Sequence, residues 1–436
     1  MESEKILEII NSYNKFWAYG TIEAGIKRDV LSLCLRQLES KEILLIKGVR
    51  RSGKSTLMAQ MILSLLEKGT KPGQILRVNL EEPLFGIDSS IDLLEHIYRV
   101  YRDHVNPSGK CYLFLDEVQN IPEWERWVRG RSETENIKMV ITGSSSRLLS
   151  RETGTKLTGR HVSFEIFPLS FSEFLRFKNI SLKSKSEYYA QKSVVRNFFT
   201  DFLKYGGFPE VVLKQDPEDK ELLLKQYFED ILYRDIVSRY EIRDVVTLKN
   251  LAVFLLTNIG RFTSVSSLKK NFQISQDKVE NYTSAIFETY LLSRLAKFSF
   301  SAKKSMQARF KPYAVDTGLR NRVAFSFSED MGWLAENVAM NHLKGRFEEV
   351  FYDADGGEVD FVVKQGTKVT MCAQVWYADP AETTIPEREL YRFVQKGSPL
   401  EKAEKLILTN DLEGTRKAGE GTARCLPLTL FLLDLF

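Results

Sequence analysis

The sequence predicts an α/β protein: a parallel-sheet phosphate-binding domain first, then a three-helix unit, then a second α/β unit. Three observations carry that expectation. The apolar run EILLIK (42–47) leads into a glycine loop, GVRRSGKST, and then into a helix-spaced stretch that stops at Gly69. A second apolar run, CYLFLDE (111–117), ends in paired acids. Further on, the helical run WLAENVAMNHLKG and the glycine turn and strand of FYDADGGEVDFVV each carry acids.

The glycine loop satisfies G-x-x-x-x-G-K-[ST] with Gly48, Gly53, Lys54 and Ser55. Strand, loop and helix together make the pattern a physical site, because the loop's N–H groups point inward at phosphate and the helix start adds positive potential. The nucleotide-binding set is therefore Gly48, Val49, Arg50, Arg51, Ser52, Gly53, Lys54, Ser55 and Thr56. Lys54 is expected to meet the β/γ-phosphates and Ser55 to ligate Mg²⁺. Arg50 and Arg51 are expected either in solvent or paired with Glu81 or Glu82. About 60 residues on, with the strand QILRVNL (74–80) and a helix near Ile91–His104 between, Asp116 is expected to hold Mg²⁺ through water. Glu117 would polarise the attacking water. A fourth strand, MVITGSSS (139–146), presents a hydroxyl, Ser144 or Ser145, between the acids and the γ-phosphate. Strands alternating with helices make a parallel sheet with ligand at the strands' carboxyl ends. No N-K-x-D guanine-reading motif is present.

Composition removes several classes of function. The chain has 436 residues, 62 Lys+Arg against 58 Asp+Glu, and a net charge of +4, so it is neither a polybasic tail nor an acidic disordered protein. Hydrophobic residues at 43% support a large core. No run approaches the 18 apolar residues of a membrane span. The start, MESEKILEII, has acids where a secretory signal carries basic residues, so a cytoplasmic location and no membrane partner are expected. Four scattered cysteines and four histidines argue against a disulfide framework or a zinc site.

GVRRSGKST, LFLDEVQNIPEWE, ITGSSSRLLSRE, LTGRHVSFEIFPLSFSEFL, YAVDTGL, WLAENVA and EVDFVV occur in this order along nearly the whole chain. In these segments the sequence resembles the prokaryotic AAA-type ATPases that join a P-loop domain to a winged helix and a C-terminal domain. The resemblance implies an ATP-hydrolysing enzyme working as a homo-oligomer. It also implies that Arg160, in LTGR, is a finger reaching a γ-phosphate, in a neighbouring subunit; the alternative is a structural arginine paired with a nearby acid.

The ATPase core is expected over 1–177 and a helical lid over 178–244. In the lid, KNISLKSKSEYYA (178–190) reads as a polar insertion or connection. Leu222, Leu223, Phe228, Ile231, Leu232 and Ile236 form one helical face, expected to pack on the ATPase domain. Residues 245–304 read as a winged helix-turn-helix: LKNLAVFLLTNIG, SVSSLKKNF with a serine cap, ISQDKVENYTSAIFETYLLS, and a wing at RLAKFSF. A third helix in a major groove would present Gln276, Lys278, Asn281 and Tyr282, with Lys269 and Lys270 nearby. From Val245 to Lys311 there are 11 basic residues and three acids, a net +8, which makes double-stranded DNA the expected partner.

Residues 305–436 contain a helix with Glu336, a strand with Glu358 and Asp360, and an adjacent strand, KVTMCAQVWYA. The order resembles the PD-(D/E)xK core of restriction-endonuclease-like domains. Its E-x-K position reads Gln374-Val375-Trp376, and an indole offers no positive charge. Without the lysine, cleavage is not expected, and Glu336, Glu358, Asp360 and Gln374 read as a degenerate site kept for binding or docking. The overall expectation is an Mg-dependent ATPase acting on or regulated by DNA. The alternatives are a nucleotide-switched assembly module and, third, an ATP-regulated nuclease.

Overall fold

The structure is a computed structural model. It describes all residues except 1, 86–89, 145–156, 158, 300, 302–304, 306–307, 326–330, 356, 379–381, 383, 388, 390–399 and 419–420. The chain divides into two compact units, Met1–Ile166 and Phe167–Phe436.

In the first unit, α1 (Ser3–Tyr13) precedes β1 (Ile43–Lys47), α2 (Lys54–Glu67), β2 (Ile75–Asn79), α3 (Ile91–His104), β3 (Cys111–Asp116), α4 (Trp124–Thr134), β4 (Ile137–Gly143) and β5 (His161–Glu165). The sheet order is β2-β3-β4-β1-β5, and every pairing is parallel. Its strands are near-continuous apolar runs because helices cover both faces. Leu45, Leu76, Leu113 and Ile141 pack on one side with α1, α3 and α4, while Leu44, Ile46, Phe114 and Val140 meet Leu57, Met58 and Met61 of α2 on the other. Buried Lys138 donates to Ser40 O at 3.0 Å and Glu42 O at 2.5 Å, and burial pushes its ammonium down to about 8.

The second unit begins with α5 (Phe171–Phe177), opened by a reciprocal Ser170–Glu173 cap. Then come α6 (Lys192–Tyr205) and α7 (Pro217–Asp230), which continues into a π-helical turn over Ile231–Ser238. The polar stretch at 178–190 is not a plain connection. It contains the short helix Lys185–Ala190, and Tyr188, 1% exposed, meets the Thr429 hydroxyl at 2.7 Å. The apolar face of α7 also differs from expectation. Leu222 is 66% exposed, whereas Leu224, Tyr227 and Phe228 are buried, and the helix packs against α11 (Thr317–Val323). Leu222 and Phe228 are six residues apart in the regular part of the helix, roughly 120° round its axis from each other, so Leu222 faces away from the side that Leu224 and Phe228 bury.

Two sequence motifs interlock within this unit. Helix α6 ends at Gly206-Gly207, directly against Asp316-Thr317-Gly318. Asp316 accepts from Gly207 N at 2.6 Å and Leu319 N at 2.9 Å. Gly206 has φ +73°, and a Cβ there would lie 2.0 Å from Asp316 Oδ1, so no larger residue fits. Burial pushes the Asp316 carboxyl up to about 6, partly offset by those backbone donors.

Helices α8 (Val245–Thr257), α9 (Val265–Phe272) and α10 (Gln276–Glu288) follow, with Ser264 and Ser275 capping α9 and α10. They lead into the antiparallel strands β6 (Leu292–Lys297) and β7 (Lys311–Ala314), and a bridge joins Thr263 to Phe310. Beyond α11 come α12 (Met331–Lys344), β8 (Glu349–Asp353), β9 (Val359–Gln365), β10 (Lys368–Trp376), β11 (Glu404–Thr409), β12 (Gly414–Ala418), β13 (Gly421–Pro427) and α13 (Leu428–Leu432). One eight-stranded sheet runs β12-β13-β11-β10-β9-β8-β6-β7. Trp376 lies in its core with Val362, Cys372 and Ile407, so the residue at the lysine position of the expected motif is a packing residue.

Candidate functional site

Strands β3, β4 and β1 are neighbours and run parallel, so their carboxyl ends bring the acids, the strand-tip serine and the glycine loop together. The loop is held from behind. Gly48 has φ +148°, and a Cβ would sit 2.1 Å from Ile166 O. Buried Arg28 donates to Ser52 O at 2.6 Å. Val49 is buried, and Gly53, at φ +96°, starts α2. Lys54 is 4% exposed; its Nζ donates to Gly48 O at 3.1 Å and Val49 O at 3.2 Å and lies 3.6 Å from Glu117 Oε1. Ser52 Oγ is buried and has no hydrogen-bond partner among the described residues. A buried ammonium resting on neutral carbonyls beside an unpartnered hydroxyl fits a phosphate, whose oxygens are stronger acceptors.

Ser55 and Thr56 are exposed at the start of α2. Asp116 accepts from the Thr142 hydroxyl, and its other oxygen lies 3.5 Å from Arg77 Nη2, which also reaches Ser55 O at 3.4 Å. Hard oxygen donors at Ser55 and Asp116 fit Mg²⁺. Among the described residues no three His, Cys, Asp or Glu converge to hold a metal alone. That suits an ion completed by nucleotide oxygens and water.

Glu117 has left-handed backbone angles, φ 55° and ψ 47°, a strained conformation for a non-glycine residue. The Glu117 N–H donates to Thr142 Oγ1 at 3.1 Å, so one threonine fixes both acids. Gln119 Nε2 donates to Glu117 Oε2 at 2.5 Å and to Ser144 Oγ at 3.3 Å. Ser144 is buried; Ser145 lies outside the described residues. Arg50 pairs with Glu81 at 3.0 Å, whereas Glu82 accepts from Tyr13. Arg51 is exposed with φ 69°.

Arg160 lies elsewhere. It immediately precedes β5, and its carbonyl accepts from Ile43 N at the opposite end of the sheet from the glycine loop. Its guanidinium, 59% exposed, meets Glu133 Oε1 at 2.5 Å. Within its own chain it is a full strand length, on the order of 15 Å, from the loop.

The expected DNA face is partly turned inward. Tyr282 is 7% exposed and its hydroxyl reaches Asp244 O at 3.4 Å. Lys278 Nζ pairs with Asp244 at 2.5 Å, which holds the Asp244 carboxyl down at about 2. Gln276 donates to Glu280 at 2.8 Å; Lys269, Lys270 and Asn281 are exposed. The net +8 of the sequence is smaller at the surface. Lys311 is buried, Lys297 pairs with Asp355 and Lys278 with Asp244.

The C-terminal acids do converge, around a residue the sequence reading did not single out. Lys311 of β7, 1% exposed, lies 3.0 Å from Glu336 of α12, 2.7 Å from Glu358 and 3.1 Å from Asp360 of β9. Tyr313 donates to Glu336 at 2.5 Å. Burial opposes charge on Lys311, but the surrounding carboxylates outweigh it and hold the ammonium well above its ordinary range. Burial, then Asp360, pushes the Glu336 carboxyl up to about 7. A cavity of about 650 Å³ opens here, lined by Trp333, Glu336, Glu358, Asp360, Gln374 and Glu389.

Beyond Lys311, sequence reasoning missed Arg28, Arg77, Gln119 and Thr142. Gln119 had a local signal, two residues after the paired acids, and Thr142 lies near the end of β4, just before Ser144; Arg77 is brought in by the sheet register and Arg28 by the loop that precedes the sheet.

Comparison with known proteins matches an AAA domain over residues 40–175 and a domain of unknown function (DUF8612) over 196–330. The uncharacterized protein MJ1544 of Methanocaldococcus jannaschii is 33% identical over 412 residues, 91% of this chain and 88% of that one. An uncharacterized Haemophilus influenzae protein is 29% identical over 82% of this chain and 88% of its own length. Among solved structures, the Aeropyrum pernix ORC1 protein in complex with DNA is 10% identical, over 68% of this chain and 92% of that one. Its TM-score is 0.33, too low to establish a common fold. No helix among the described residues is long and apolar enough to cross a membrane. A glycine loop at the carboxyl end of a parallel strand, paired acids two strands away and a third of the positions shared along nine-tenths of this chain with MJ1544 lead to one conclusion: the chain belongs to the same AAA-type P-loop family as that protein.

Proposed function

We propose that this protein binds ATP with Mg²⁺, hydrolyses it, and acts on or is regulated by double-stranded DNA through the three-helix segment. The observation that carries the enzymatic part is Lys54 buried between its own loop carbonyls and Glu117. In this reading Ser55 and Asp116 hold the magnesium, which supplies divalent charge to the phosphates. Lys54 exchanges carbonyl acceptors for phosphate oxygens, Glu117 takes a proton from water, and Gln119 ties that carboxylate to Ser144. Helices α8, α9 and α10, followed by a β-hairpin, have the element order of a winged helix, which supports the DNA part. Exposed Lys269, Lys270, Gln276 and Asn281 supply its contacts.

Phosphate release measured with a duplex titration at several salt concentrations tests the proposal. DNA stimulation that weakens with salt and disappears in Lys54→Ala is expected. The result that sinks the DNA part is absence of DNA binding at low salt, whatever the ATPase rate. A second reading, a nucleotide-switched assembly module, is favoured by the inward turn of Tyr282 and the Lys278–Asp244 pair. It expects nucleotide-dependent self-association and a rate indifferent to DNA.

A further inference from the structure

The resemblance of the C-terminal segment to a PD-(D/E)xK core implies a divalent ion held by Glu336, Glu358 and Asp360. The residues present do not fit that ion. Lys311 Nζ donates to Glu336 Oε1 at 3.0 Å and to Asp360 Oδ1 at 3.1 Å and forms an ion pair with Glu358 at 2.7 Å, so one ammonium occupies the point where the three carboxylates meet. We propose that Lys311 is the resident cation of this carboxylate cluster, so that the cavity takes no divalent metal and hydrolyses no phosphodiester.

The other donors around Asp360 and Glu336 point the same way. Asp360 Oδ1 is taken by Lys311, and Oδ2 accepts from Val375 N at 3.0 Å. Gln374, at the position of the motif's metal-binding acid, turns its oxygen to Asp360 N at 3.1 Å and its amide nitrogen to Glu389 at 2.8 Å. Glu336 Oε1 serves Lys311 and Tyr313 together. An entering metal ion would compete with these donors and meet a positive charge that cannot leave. Lys311 sits on a strand whose backbone is paired with Leu295, and its side chain is 1% exposed. The tethered cation also ties β7, which follows the three-helix segment, to α12 and β9. A carboxylate cluster whose buried cation comes from its own chain is a connector between elements, and hydrolysis has no place in it.

Manganese binding, followed by the paramagnetic signal of free Mn²⁺, tests this in the full chain carrying Lys54→Ala and without nucleotide, which silences the loop site. Titrations with and without Asp360→Asn are expected to superimpose. Lys311→Met in the same background is expected to gain one Mn²⁺ site at least about tenfold tighter than any in its parent, and to lose it on adding Asp360→Asn. Three outcomes overturn the proposal. The first is a stoichiometric site in the parent that Asp360→Asn removes. The second is Mn²⁺-dependent nicking of supercoiled plasmid abolished by Asp360→Asn. The third is a folded Lys311→Met chain that gains no site. Should circular dichroism show Lys311→Met unfolded, the parent comparison decides alone.

Discussion

Gln119 and Glu117 are joined by a 2.5 Å hydrogen bond in which the amide nitrogen donates to the carboxylate, and the same nitrogen reaches Ser144 at 3.3 Å. The residue proposed to activate water is thereby held by a neutral neighbour two positions away. In the proposed reaction Gln119 is a positioning residue for Glu117. In Gln119→Leu, kcat is expected to fall by about tenfold or more with KM within about twofold, the mark of an interaction used in the transition state. Gln119→Asn, with a shorter reach, is expected to recover part of the loss. Steady-state phosphate release gives both values; a change confined to KM would remove Gln119 from the catalytic apparatus.

Thr142 carries two acids on one hydroxyl, donating to Asp116 and accepting from the Glu117 N–H. Thr142→Val keeps the shape and leaves both partners unsatisfied in a buried place. A stability loss of about 1–3 kcal/mol by urea titration is expected. The Mg²⁺ concentration for half-maximal ATPase is expected to rise, because Asp116 loses its fixed orientation. An unchanged urea midpoint would mean that water replaces the hydroxyl.

The exposed pair of Arg160 with Glu133 is worth less than about 1 kcal/mol, so Arg160→Ala is expected to leave the melting temperature nearly unchanged. Its place at the amino end of the sheet rules out action on its own chain's loop. Any direct contact of this arginine with a γ-phosphate would therefore be made on another chain's loop. Mixing Arg160→Ala with Glu117→Gln chains is then expected to restore activity above either alone; no recovery despite demonstrated co-assembly leaves the arginine structural.

Asp316 gives a pH dependence with a defined sign. Its carboxyl is raised to about 6 in the folded chain against 3.8 for the free group, so the folded state holds its proton more tightly. The stability it contributes is fully present below pH 3.8 and is lost as pH rises through about 6. Two units correspond to about 3 kcal/mol as an upper bound. The stability of wild type minus that of Asp316→Asn, from urea titrations between pH 4 and 7, is expected to decline across this window. A flat difference would show that the backbone donors keep Asp316 ionised throughout.

The elements written in contiguous residues were legible. EILLIK, QILRVNL and the run before Asp116 became β1, β2 and β3 within a residue or two, because parallel strands covered on both faces must be apolar throughout. The Ser264 and Ser275 caps were legible for the same local reason. Contacts made by topology were not. Lys311 reads as one more base in a basic stretch, and only the neighbouring of β7, α12 and β9 turns it into the partner of three acids. Tyr282 has the spacing of an outward reader, yet it covers the space beneath Asp244. Leu222 shares an apolar stretch with Phe228 but lies roughly 120° from it round a regular helix, so apolar character alone misplaces it on the buried face.

Strand β6 pairs with β7 along one edge and with β8 along the other, so the sheet crosses the 304/305 position at which sequence alone would separate two domains. Expressing residues 305–436 by themselves would strip β6 away, leaving unpaired N–H and C=O groups on β7 and β8. Bared strand edges recruit other copies of the chain, so that fragment is expected to aggregate. The smallest separable piece is then the whole of Phe167–Phe436. A force applied to α10 would reach the far strands through backbone hydrogen bonds, without crossing a flexible joint.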